Sequence, residues 1–182
     1  MKYVAFIRAI NVAGHASVKM TDARHAFVAA GGRNVRSYIQ SGNVLFECSA
    51  REMASMLRAI RKRLTDTRAG EPDILCRSEQ QLEEIVGRAP FTARDAGPTV
   101  KLYVAFLARS PRVKPRLPVS LPKEELEAVG MTDREVFIVS RRKKNGFFGF
   151  PNNFIEDALG VSATTRNWST IIRILEQLRN VE

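Results

Sequence analysis

Two clusters of polar residues in this 182-residue chain have the side-chain types that hold an anion. The first combines Arg8, Asn11, Gly14 and His15 with the short run Gln40, Ser41, Gly42 and Asn43. A guanidinium supplies charge and several donors, while amides and hydroxyls supply neutral donors. Glycine lets backbone N–H groups approach an oxyanion closely. The second cluster is Thr164-Thr165-Arg166-Asn167, again an Arg beside hydroxyl and amide groups. Each residue also has an ordinary structural use. Asn and Ser in tight turns bond their own backbone, Arg8 can pair with Glu47 on a neighbouring strand, and Trp168 can simply pack in the core. It is the convergence of so many polar side chains that argues for a ligand.

Acid–base chemistry is sparsely provided. The histidines are His15 and His25, and no carboxylate pair stands out. Ser41 has no evident base. The sequence leaves open whether the protein is an enzyme; catalysis would rest on His15, Ser41 or positioning alone. Cys48 and Cys76 form no CxxC and have no His nearby, so metal-ligand spacing is absent. Both read as core thiols. No metal and no cofactor is expected.

The elements that would position the first cluster follow from periodicity. Tyr3 to Ile7 is a short apolar run, read as a strand. A loop follows, then a helix with Thr21 as N-cap and Ala23, Ala26, Phe27 and Ala30 at helical spacing, ended by Gly31-Gly32. Val35 to Gln40 and Asn43 to Glu47 read as two strands joined by a two-residue Ser41-Gly42 connection. Met53, Met56, Leu57, Ile60 and Leu64 mark a second amphipathic helix, and Asp73 to Arg77 a fourth strand. The order β-α-β-β-α-β predicts a ferredoxin-like unit over residues 1–77. In that topology strand three lies between strands one and two. The end of strand one, the start of helix one and the two–three turn then share one edge. That edge gathers Arg8, Asn11, Gly14, His15 and Gln40 to Asn43, beside a helix N-terminus that favours anions.

A smaller α+β subdomain, residues 78–182, is expected to share a core with the first. Ser78 to Gln81 reads as a capping box. Val100 to Leu107 is the most apolar strand and should be central. Lys123 to Val129 reads as a short helix ended by Gly130. Asn145-Gly146 reads as a hairpin turn between strands 135–140 and 147–150. Pro151 opens a helix stopped by Gly160, and Thr164 or Thr165 caps a final helix carrying Trp168. A ligand touched by both clusters would sit between the subdomains.

The chain carries 29 Lys and Arg against 19 Asp and Glu, a net charge of +10. The excess is shared equally, 14 cations against 9 acids in residues 1–90 and 15 against 10 in 91–182. Such a balance suits anionic partners, whether phosphorylated small molecules or nucleic acid. No apolar run approaches the roughly 20 residues of a membrane span, and the N-terminus is unlike a signal peptide. A cytoplasmic protein with no membrane partner is expected.

Arg8-Ala-Ile-Asn-Val-Ala-Gly14, Met20, Tyr38-Ile-Gln-Ser-Gly-Asn43 and Thr164-Thr-Arg-Asn-Trp-Ser-Thr170 resemble the signature of the bacterial domain-of-unknown-function family 1697. The likeness runs over essentially the whole chain. Ala9 and Ala13 stand where the family usually has Gly, leaving Gly14 as the one bare backbone position of that loop. The resemblance implies an α+β fold with a ferredoxin-like N-terminal part, and no established activity. Three functions compete on the residues. The first is binding of a small phosphorylated or other anionic ligand by Arg8, Asn11, Gly14, His15, Gln40, Ser41, Gly42, Asn43, Arg166 and Asn167. The second is RNA or single-stranded nucleic-acid binding, which the charge and the element order support. The third is a protein-interaction module.

Overall fold

Continuous burial along the first and third strands and helical burial along the segments between strands build a β-α-β-β-α-β run. A computed structural model describes residues 1–8, 18–39, 41–66 and 72–180. Strand β1 (Lys2–Ile7) is followed by α1 (Met20–Ala29), β2 (Arg33–Tyr38), β3 (Asn43–Glu47), α2 (Met53–Asp66) and β4 (Ile74–Ser78). The four strands form one sheet in the order β2-β3-β1-β4, with every neighbouring pair antiparallel. One face carries Tyr3, Ala5, Ile7, Val44 and Phe46, packed on Ala23, Ala26 and Phe27 of α1 and Met56, Ile60 and Leu64 of α2. Phe46 sits at the centre, its ring 4.9 Å from Phe27 and 5.6 Å from Tyr3. Burying a side chain of this size stabilises the fold by about 1.5–3 kcal/mol. Val4, Phe6 and Leu45, on the other face, are also buried.

Helix α3 (Glu79–Gly87) opens on the expected capping box: Gln81 N–H donates to Ser78 Oγ at 3.1 Å, and Ser78 N–H to Gln81 Oε1 at 2.9 Å. The second sheet has five strands, β5 (Val100–Leu107), β6 (Val119–Leu121), β7 (Leu126–Met131), β8 (Glu135–Arg141) and β9 (Ala163–Asn167), ordered β6-β7-β8-β5-β9. Helix α4 (Asn152–Leu159) follows Pro151 and stops at Gly160, as its sequence predicts. Helix α5 (Trp168–Arg179) closes the described chain. The chain divides into one unit of Met1–Glu83 with Ile174–Glu182, and another of Glu84–Arg173. The first unit thus runs past the boundary anticipated at Ser78 and takes in the end of α5.

Several local expectations are corrected. Thr21 lies inside the first turn of α1; the N-cap is Lys19, without a side-chain cap bond. The β2–β3 connection spans four residues, because the last pair in register is Tyr38 with Asn43. Residues 123–129 are not a helix. After a single 3₁₀ turn at Pro122–Glu124, the chain enters β7 and pairs with β8. Pairing with β8 satisfies the backbone of the stretch in a ladder, and this tertiary setting outweighs its local helix propensity. Residues 147–150 meet β8's continuation through one bridge, Arg142 with Phe148, and form no full strand. Thr164 and Thr165 do not cap α5; they pair with Phe106 and Ala105 inside β9, a setting that suits β-branched side chains.

Candidate functional site

Arg8 follows the last residue of β1, and two backbone bonds define its surroundings. Ile7 N–H donates to Gly42 O at 2.8 Å, tying the strand's end to the β2–β3 turn. Arg8 N–H donates to Asp73 O at 2.9 Å, just ahead of β4. Arg8 Nη1 lies 3.4 Å from Asp73 Oδ2, and 35% of the Arg8 side chain remains exposed. Glu47, the partner considered from sequence, belongs to the opposite end of the sheet. It pairs in register with Lys2 and accepts a 2.8 Å bond from Asn34 Nδ2. Asp73 was missed because it lies 65 residues from Arg8, and only the β1–β4 register brings them together. The signal available was an acidic residue at the start of the fourth strand.

The same end of the sheet receives the start of α1. β1 and β2 are parallel to each other, since both run antiparallel to β3. α1 leads from the end of β1 to the start of β2, so its N-terminus belongs with Arg8. Its N-cap Lys19 offers no side-chain acceptor to the first-turn amides, and such amides suit an anion.

Within the turn, Asn43 is wholly buried. Its Nδ2 donates to Tyr38 O at 3.1 Å and to Ser41 Oγ at 2.8 Å. The amide therefore braces the turn and holds Ser41, which is exposed, at the surface. Gly42 takes φ +79 and Ile39 φ +49. A left-handed conformation costs an ordinary L-residue about 1–2 kcal/mol, and β-branching makes Ile39 a strained position. Such strain clusters at functional sites. Asn11, Gly14, His15 and Gln40 lie outside the described residues.

The second cluster is arranged differently from the helix start anticipated. Arg166 and Asn167 are consecutive in β9, so their side chains leave opposite faces of the sheet. Asn167 is exposed. Arg166 Nη1 donates to Thr164 Oγ1 and to Thr165 O, both at 2.8 Å. Burial lowers its guanidinium to about 10, so it remains a cation at neutral pH. Trp168 joins Phe91 and Phe137 in an edge-on aromatic group, with centroids 5.3 and 6.3 Å away. It is a packing residue, one of the uses its sequence context allowed.

Sequence reasoning also missed Arg141. It reads as one of four consecutive cations, yet its Nη2 lies 3.9 Å from Asp95 and 3.8 Å from Glu127, beside a concavity of about 210 Å³. Among the described residues no group of three His, Cys, Asp or Glu could hold a metal. Burial raises the Cys48 thiol, which keeps it protonated and unreactive. Among the described residues no helix is long and apolar enough to cross a membrane.

A family model described as protein of unknown function (DUF1697) matches residues 1–137. No curated protein matches the sequence. The structure of conserved bacterial protein SP0830 from Streptococcus pneumoniae is similar over 97% of this chain and 98% of that one, with a TM-score of 0.63 at 17% sequence identity. At that identity the likeness is one of fold.

Proposed function

The chain belongs to the DUF1697 family of proteins of unknown function, and from that premise we propose that it binds a small phosphorylated or other anionic ligand at the Arg8 end of its four-stranded sheet. The observation that carries the reading is the pair of bonds from Ile7 to Gly42 and from Arg8 to Asp73. They set the partly exposed Arg8 side chain beside a strained polar turn, at the end of the sheet where α1 begins. Arg8 supplies the charge, Ser41 a hydroxyl and the first turn of α1 its amides. Asn11, Gly14, His15 and Gln40 are the further contacts of the proposal, and Gly42 and Asn43 shape the turn. We read the unit as ferredoxin-like, on the support of its element order and its antiparallel β2-β3-β1-β4 sheet, and the protein as cytoplasmic.

Arg8→Ala tests the reading. Its ion pair is exposed, so the substitution costs less than about 1 kcal/mol of stability. Pyrophosphate and nucleoside phosphates should raise the melting temperature of the wild-type protein by mass action, and the Arg8→Ala protein should show no such rise. Arg8→Lys should recover part of it, because it restores charge without the fork of donors. An identical response from wild type and Arg8→Ala would sink the proposal.

A further inference from the structure

We propose that the hairpin of residues 141–150 is a contact surface for single-stranded nucleic acid, in which Phe147 and Phe150 stack on bases while Lys101, Arg142 and Lys144 meet phosphates. This hairpin belongs to the unit of Glu84–Arg173, whereas Arg8 belongs to the other, and the proposal does not rest on the reading above. Phe147 is 71% exposed and Phe150 65%. Large aromatic side chains normally contribute stability by being buried, so two displayed within four residues call for a reason. Between them Phe148 is half-buried, with Lys101 Nζ 4.4 Å and Arg142 Cζ 5.5 Å from its ring centre. These cation–π contacts hold two cations against Phe148, the residue that follows Phe147 in the chain.

The charge around the rings is unbalanced. No acidic residue occurs between Glu135 and Glu156. Lys143 pairs with Glu124, and Arg141 with Asp95 and Glu127. Among the described residues no carboxylate pairs with Lys101, Arg142 or Lys144. The hairpin is also pinned rather than loose. Gly146 N–H donates to Lys143 O at 2.9 Å, and Lys143 N–H to Phe147 O at 2.8 Å. Buried Ser140 Oγ donates to Gly149 O at 3.1 Å, and any side chain at Gly149 would collide with Glu124 O. A pinned backbone lowers the ordering cost of binding at this hairpin. Nucleic acid is the partner that uses both features, offering π faces to the rings and phosphates to the cations. An acidic peptide would use the cations alone, and a lipid surface would call for a broader apolar face than two rings.

Fluorescence anisotropy with labelled twelve-residue oligouridylate and oligothymidylate tests this. Wild type should bind both. Phe147→Ala should weaken binding by about fivefold or more, in line with losing one stacked base, and Phe147→Trp should restore it. Phe150 also meets Tyr103 edge-on, with ring centroids 6.3 Å apart; Phe150→Leu, which keeps an apolar contact there, should weaken binding by a similar factor. Arg142→Gln and Lys144→Gln should each reduce the slope of log affinity against log salt by about 0.7. Absence of wild-type binding would overturn the proposal, as would binding that Phe147→Ala leaves intact. Phe147-dependent binding to phosphatidylglycerol vesicles without oligonucleotide binding would overturn it in favour of a membrane contact.

Discussion

The turn between β2 and β3 and the turn at Asn145-Gly146 use the same parts. Each has a glycine in the left-handed region, Gly42 at φ +79 and Gly146 at φ +84. Each has an Asn whose side chain bonds the turn: Asn43 Nδ2 donates to Tyr38 O, and Asn145 Oδ1 accepts from Phe147 N–H. Their surroundings differ. The first turn joins two strands of a sheet, and its Asn is completely buried. The second closes on a single bridge, and its Asn and the following Phe are exposed. In the first, the turn chemistry serves the fold and leaves Ser41 exposed, at the sheet end where Arg8 follows β1. In the second, the turn serves as a mount for cations and aromatic rings. Identical turn residues therefore carry no fixed meaning; what surrounds them assigns one.

The contrast can be tested by stability. Asn43→Ala should have the largest effect, a loss of about 2–3 kcal/mol, because it removes a buried donor and leaves the Tyr38 carbonyl without it. Urea denaturation would measure this, and a loss under half that size would mean that Asn43 does not brace its turn. Gly146→Ala comes next. Nothing lies within 4 Å of an added Cβ, so the cost is conformational alone, about 1–2 kcal/mol. A neutral result would show that the second turn relaxes freely and is no rigid mount. Ile39→Gly should have the smallest effect and the opposite sign. Relief of the left-handed strain is partly offset by the entropy of glycine in the unfolded chain, for a gain of about 1 kcal/mol or less. A rise in melting temperature accompanied by weaker pyrophosphate binding would tie that strain to the site, whereas destabilisation would remove strain from the account.

Much of the first unit was legible because its signals are local. Short apolar runs marked β1 and β3, and the Met53 to Leu64 spacing marked α2. Ser78 and Gln81 announced the start of α3, and Gly160 the end of α4. The second unit was harder where long-range pairing competes with local propensity. Residues 123–129 are rich in helix formers, yet β8 offered Leu126–Met131 a complete ladder. Thr164 and Thr165 look like caps in a one-dimensional reading, yet β5 claims them as a strand. In the candidate site, Arg8 and Ser41 were visible as polar residues at expected turns. Asp73 was not, because no local pattern links it to Arg8.

The sequence by itself determined the α+β class, the element order of the first unit, the basic surface and the residue types available to meet an anion. These depend on composition and on periodicities of a few residues, which each segment carries alone. The tertiary structure decided which partners those residues have. It gave Asp73 to Arg8, buried Asn43 inside its own turn, sent Arg166 and Asn167 to opposite faces of one strand, and left Phe147 and Phe150 in water. The reason is that strand register and burial are properties of segments far apart in the chain. A polar residue becomes a brace or a binding group according to what the register places beside it.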